Sequence, residues 1–365
     1  MGARLRTVGA LVALVAVVGG CSEERPASTA PPPSGSVWVA DEGRDSLTVI
    51  DAANGDVTVT LTGITAPHNV QVGRDGSAVY AVSSAGVVVA IDAATYAVIA
   101  VAPTGPQPAH VIEAPNGKVY VTNSGDGTVS VYQTPGLTPA GRIAVGGMPH
   151  GLRPAAGGSM IVVANTGAGA LDLIDPATDR YIGTAPVGTG PAQVAVSADG
   201  KYAYTGISEP PSVVKVDLSQ RRVVGSAPVP LSPVQVYLTP DEKTVLSADQ
   251  GTRAMQGDTV SVIDTAEMTS RATVTTGAGP HGVVIDAAGT RAWVTNSYAD
   301  TVTPIDLSSL TASTPIPVGT GPNGISYSAR APAAAPAEVI ALQIPEPVTS
   351  SPQPTDNGAH SGHGH

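Results

Sequence analysis

The chain has 365 residues, with 42 Gly, 33 Pro, no Phe and a hydrophobic content of 42%. That composition describes many turns around a core of small and β-branched side chains, and it excludes both long helices and a wholly disordered chain. The formal charge is −11, and without residues 1–20, which carry the two cations Arg4 and Arg6 and no acid, it is −13. Such a surface repels phosphates, so nucleic acid is not an expected partner.

Residues 1–20 read as an export signal: Arg4 and Arg6, an apolar run from Val8 to Val18, then Val18-Gly19-Gly20-Cys21. The run is too short to span a bilayer. Cys21 is the only cysteine and directly follows two small residues, which resembles the lipobox of bacterial lipoproteins, whose thiol is acylated before cleavage. The resemblance implies a lipid anchor at Cys21 holding the protein on the extracytoplasmic face of the cell membrane. Residues 21–35 form a tether with a Pro31-Pro32-Pro33 run, long enough when extended to hold a domain ~40 Å from the anchor.

Three landmarks then recur together. A proline opens an apolar segment at Pro67, Pro108, Pro149, Pro191, Pro233, Pro280 and Pro322, spaced by about 42 residues with one interval of 47. A strand ends near Asp41, Ser83, Asn123, Asn165, Gly206, Asp249 and Asn296, and an aspartate closes an alternating strand at Asp51, Asp92, Asp175, Asp217, Asp264 and Asp306, with Gln133 in the remaining place. Runs such as Thr128-Val129-Ser130-Val131 alternate with period two. A unit of four short strands cannot bury its own faces, so neighbours must stack radially. The expected fold is all-β: a seven-bladed β-propeller of four-stranded antiparallel blades over residues 36–328, each inner strand starting at a proline. The segment after Pro322 runs out near Ser328, and strands around Val37–Asp41, Leu47–Asp51 and Val57–Leu61 complete the shared last blade.

Tyr120-Val121-Thr122-Asn123 and Trp293-Val294-Thr295-Asn296 match the signature of the YVTN repeat propellers, and Trp38-Val39-Ala40-Asp41 and Tyr80-Ala81-Val82-Ser83 fit the same slot in degenerate form. Over about 36–328 the chain resembles this family, in its YncE-like lipoprotein type. The resemblance implies the fold and says little about activity, since the wider set of similar propellers includes lipoproteins, surface-layer components, lactonases, lyases and copper reductases.

Residues just after each proline should line the channel mouth: His68, His110, His150, Gln193, Gln235, His281 and Asn323. Two readings are open. In the structural one, each Pro-His-Gly or similar step is a tight turn whose imidazole bonds a neighbouring carbonyl. In the functional one, His68, His110 and His150 converge on Cu or Zn or on a small ligand, with His281 able to join, and separation between blades counts against a shared ion. Acidic loops at Asp41, Glu42, Asp45, Asp126, Glu209, Asp258 and Asp300 either solvate the rim or raise the local cation concentration. The long loop Gln250 to Asp258 carries Arg253 and could cover part of the mouth.

Residues 329–365 form an Ala/Pro-rich tail whose apolar stretch, Glu338 to Ile344, either adds a strand or lies on the surface. The tail ends in His360, His363 and His365, a pattern suited to weak divalent metal capture or a chance enrichment. Motifs of standard enzymes are absent: no Gly-x-Ser-x-Gly elbow, no His-Glu-x-x-His, no phosphate-binding glycine loop. The expected function is a lipid-anchored, monomeric binding or interaction module whose histidine-lined mouth takes a small ligand or a surface protein partner. The alternatives are an extracytoplasmic copper or zinc handling protein and a lactonase- or lyase-like enzyme.

Overall fold

In the computed structural model, which describes residues 1–2, 34–155, 157–333 and 338–346, the period-two runs of Val, Ile and Thr form short strands. The 3-10 turn Glu42–Arg44 is the only helical element among the described residues. Residues 3–20, Cys21 and the three tail histidines lie outside the described residues.

The strands assemble into seven sheets, and in each the chain steps outward from the channel through antiparallel neighbours. The second blade is representative, with Pro108–Glu113, Lys118–Asn123, Thr128–Gln133 and Thr138–Ala144 in spatial order. Closure follows the expected route: Pro322–Ser328 pairs with Ser36–Asp41, placing Val37 opposite Tyr327 and Val39 opposite Ile325. Ser46–Asp51 and Val57–Thr62 complete that blade. Glu338–Ala341, within the tail segment, adds a parallel fifth strand on Val57–Thr62 and so covers an outer edge.

One detail departs from the repeat. Five inner strands begin at their prolines, but pairing in the fourth and fifth blades begins at Val194 and Gln235, beyond Pro191 and Pro233. In the fourth blade the Gln193 side-chain carbonyl accepts the Val194 amide at 2.9 Å, satisfying that N–H where the strand begins.

Seven apolar clusters lie between blades, one at each interface; Ile112, Val129 and Ile143 of the second blade, for example, pack on Leu152, Ile161 and Ile174 of the third. Each blade face is therefore buried by its neighbour, at roughly 1.5–3 kcal/mol per large aliphatic side chain. The few aromatics are concentrated in this layer: Trp38, Trp293, Tyr80, Tyr120 and Tyr132 are fully buried.

Candidate functional site

The positions after the prolines do meet at one mouth of the channel. His68 Nε2 lies 3.2 Å from His150 Nε2, the His110 and His150 rings are centred 4.8 Å apart, and one ring nitrogen from each of His68, His110 and His150 falls within 4.8 Å of the others. The narrow waist of the propeller thus overcomes the separation of the blades. His281 stands further off, 6.4 Å from His68 between ring centres, outside that trio. Gln193, Gln235 and Asn323 occupy the remaining buried ring positions.

The repeat signature explains how the ring is held. Thr122 Oγ1 accepts the His110 amide of its own blade at 3.0 Å and donates to the His150 carbonyl of the next at 2.5 Å. Thr295 repeats this with the Gly282 amide and the Asn323 carbonyl, at 2.7 and 2.9 Å. The hydroxyl two residues later reaches the next proline, Ser124 to the Pro149 carbonyl and Ser297 to that of Pro322. The intervening Asn anchors its own blade: Asn123 Nδ2 donates to the hydroxyls of Thr128 and Ser130. Buried backbone groups at the mouth are satisfied in this way, and the second and sixth blades each position the ring residue of their successor.

Second partners orient the imidazoles. His150 Nδ1 donates to the Ala192 carbonyl at 2.8 Å, as the structural reading of the turn expects. His68 Nδ1 lies 3.2 Å from Glu42 Oε1 and 3.0 Å from Asn323 Nδ2, and that amide also donates to Glu42 Oε2 at 2.6 Å. With Nδ1–H of His150 committed to Ala192, its Nε2 presents a lone pair to His68 Nε2 at 3.2 Å, where it accepts an N–H from His68 or shares a cation with it. Gln193 Nε2 meets His110 Nδ1 at 3.2 Å, and the Gln193 carbonyl is fixed by the Val194 amide. His110 therefore carries its proton on Nε2 in this arrangement.

Burial is the main force on the charges here. It pushes the His150 imidazole down to about 4 and His281 down to about 3, the positive field of His68 adding to both, and it drives His110 well below the ordinary value. These rings are neutral at pH 7, the state a metal requires. For Glu42, burial acts upward, but the hydrogen bond and charge of His68 with the Asn323 amide outweigh it, and its pKa falls below that of an ordinary glutamate. The His281 Nδ1 and Asn323 Oδ1 atoms are buried without a hydrogen-bond partner among the described residues.

A cavity of about 570 Å³ opens beside the ring, lined among others by Glu42, Arg253, His281, Tyr298 and Asn323. The expected loop Gln250 to Asp258 is mostly an extension of the paired strands Thr244–Gly251 and Gln256–Asp264, and Arg253 at its tip stacks its guanidinium 4.9 Å from the centre of the Tyr298 ring, forming part of the rim. Among the acidic loop residues, Asp45 and Asp300 accept the backbone amides of Ala66 and Gly321, and Asp126 pairs with Arg142. Glu42 alone of these turns to a histidine. Sequence spacing gave no sign of that role, although Glu42 directly follows the signature slot ending at Asp41.

Comparison with known proteins gives a consistent fold. The family model described as YNCE-like beta-propeller matches residues 76–209, and no curated protein matches the chain. Among solved structures, the hydrazine synthase of Kuenenia stuttgartiensis is similar at 21% identity and a TM-score of 0.65, over 73% of this chain and 90% of that one. A candidate 6-phosphogluconolactonase of Bacteroides fragilis is similar at 16% identity and TM-score 0.68, over 83% and 100% of the two chains. A protein of unknown function from Desulfotomaculum acetoxidans is similar at 13% identity and TM-score 0.69, over 80% and 99%. At these identities the likeness is one of fold. With seven sheets closed around one channel, the chain is a seven-bladed β-propeller that carries the YNCE-like beta-propeller signature across residues 76–209.

Proposed function

We propose that this protein is a metal-binding propeller of the extracytoplasmic membrane face, anchored through an acylated Cys21, in which His68, His110 and His150 take one zinc or copper ion at the channel mouth. The observation that carries this reading is the pair of Nε2 atoms of His68 and His150, 3.2 Å apart, with His150 Nδ1 directed at the Ala192 carbonyl and His68 Nδ1 held between Glu42 and Asn323. Two nitrogens on a tetrahedral ion at about 2.0–2.1 Å each stand roughly 3.4 Å apart, so this pair needs almost no movement. A carboxylate behind one ligand and a carbonyl behind another are the outer partners that orient metal-bound imidazoles. Three protein ligands would leave room for a further one, and a cavity of about 260 Å³ lined by Glu42, His68 and His150 would admit a small ligand or a group from a partner protein. The tail histidines His360, His363 and His365 would add weak divalent capture of their own.

The test is titration of the mature protein with Zn²⁺ and with Cu²⁺, followed by calorimetry and by metal analysis after dialysis. One ion per chain is expected, with affinity at least a hundredfold lower in the His68→Ala/His150→Ala protein and little changed when His360, His363 and His365 are replaced together. Equal affinity in the His68/His150 double variant, or tight binding that disappears with the tail substitutions, would overturn the assignment.

A further inference from the structure

The opposite end of the channel carries a second ring. Four residues after each proline stand Gln71, Ile112, Arg153, Ala195, Tyr237, Val284 and Ser326. Six of these seven line one cavity of about 370 Å³, and Ala195 lines an adjoining one that shares Arg153 and Tyr237. Each inner strand that starts at its proline in the first three blades has a register shift within its first few residues, as between Pro149 and Leu152. That irregularity lets residues at an odd separation, such as His150 and Arg153, both face the lumen, about 10 Å apart along the strand.

Arg153 is the only cation in this ring, and it is poorly matched. Of its five N–H groups, the one with a partner among the described residues is on Nη1, which donates to the adjacent Leu152 carbonyl at 3.0 Å. It makes no ion pair among the described residues. Glu113, at the cavity rim, spends a carboxylate oxygen on the Arg74 amide at 3.0 Å. Ser326 Oγ is taken by the Val72 amide and the Gln71 side chain. The Tyr237 hydroxyl has no hydrogen-bond partner among the described residues, and burial raises its pKa while the nearby Arg153 cation acts to lower it. Arg153 and Tyr237 are half-buried, so their unpaired donors face the cavity, where an anion would meet a guanidinium that has no counter-ion.

We infer that this end of the channel is a binding site for a small carboxylate anion, gripped by the planar fork of Arg153 and by the hydroxyl of Tyr237, with Gln71 able to add a third donor. A carboxylate matches the parallel N–H pairs of a guanidinium, and the largely neutral, apolar remainder of the ring, Ile112, Val284 and Ala195, suits a short organic acid. The site rests on residues distinct from the imidazoles at the other mouth and stands whether or not those bind metal.

Acetate is the probe. The full chain is titrated with sodium acetate by calorimetry and by thermal unfolding, against sodium chloride at matched ionic strength and pH. Acetate raises the unfolding temperature in a concentration-dependent, saturable way through preferential binding to the folded state. Arg153→Met lowers acetate affinity at least tenfold, Tyr237→Phe lowers it several-fold, and His150→Ala leaves it unchanged. The proposal is overturned if no anion produces a saturable shift, if Arg153→Met keeps the wild-type acetate response, or if chloride or phosphate gives an Arg153-dependent shift and acetate does not. Should Arg153→Met fail to fold, Tyr237→Phe and Arg153→Lys decide the matter, since Lys keeps the charge and loses the fork; unchanged acetate affinity in both sinks the site.

Discussion

Thr122 joins two blades through one oxygen, accepting the His110 amide at 3.0 Å and donating to the His150 carbonyl at 2.5 Å. Valine has the same shape and neither capacity. Thr122→Val leaves a buried N–H and a buried C=O without their partner, so a loss of about 1–3 kcal/mol in urea unfolding is expected, together with weaker Zn²⁺ binding because His150 is no longer held. A variant as stable as the parent would show that the hydroxyl is not what ties the blades.

Asp249 occupies the slot filled by Asn123, Asn165 and Asn296 in other blades, and burial raises its pKa to about 6 despite hydrogen bonds from Ser261 and Ser247. A folded-state value above the unfolded one near 3.8 means that the ionisation penalty is absent below about pH 4 and complete above about pH 6, so stability falls as pH rises through that window. Asp249→Asn should therefore stabilise the protein by at most about 3 kcal/mol at pH 7 and by almost nothing at pH 4. Urea midpoints measured at both pH values provide the check, and a gain independent of pH would contradict it.

The buried imidazoles act in the opposite sense. His281 is held down to about 3 and His150 to about 4, below the unfolded value of 6.5. Their contribution is present above pH 6.5 and is lost as pH falls toward those values, at about 1.4 kcal/mol per pH unit for each proton taken up on unfolding. Replacing His281 with Leu should reduce the slope of stability against pH between 6.5 and 4 by about one proton, and an unaltered slope would show that this ring is protonated in the folded state.

Glu42 is partly exposed, with 41% of its side chain accessible, and it touches the site through His68 alone among the imidazoles to which it is hydrogen bonded. Glu42→Gln should leave the unfolding temperature within a degree or two. Its expected effect is on metal, with affinity for Zn²⁺ lowered roughly tenfold through loss of the carboxylate behind a ligand. Unchanged Zn²⁺ affinity would separate Glu42 from the metal reading.

Anchoring has its own test in cells. Cys21→Ser removes the only thiol in the chain, and the protein should move from the membrane fraction into the soluble one. Retention of that variant on membranes would eliminate the lipid anchor.

Blade number, closure and the mouth residues could be read from the sequence because prolines, Asn/Asp strand ends and alternating Val runs are local signals repeated many times. The partners of the histidines could not. Glu42 reaches His68 across 26 residues and Asn323 reaches it across 255, contacts that depend on ring closure rather than on any spacing within a repeat. Arg153 was hidden for another reason: simple alternation from Pro149 does not place it and His150 on the same side, and the register shift after the proline is invisible in the residue pattern. The fifth strand at Glu338–Ala341 was legible only as an apolar stretch, since a parallel pairing to Val57–Thr62 leaves no turn signal.

Glu42 and Asn323 sit 281 residues apart, on the first and last strands' side of the shared blade, hydrogen bond each other, and both contact His68 Nδ1. A polypeptide emerging from the ribosome possesses all three trio histidines by the time residue 150 has been made, but the clasp around His68 waits until residue 323 arrives and the two ends zip together. Partly made molecules consequently lack the complete surroundings of His68, and loading of the proposed metal site would report that the ring has closed.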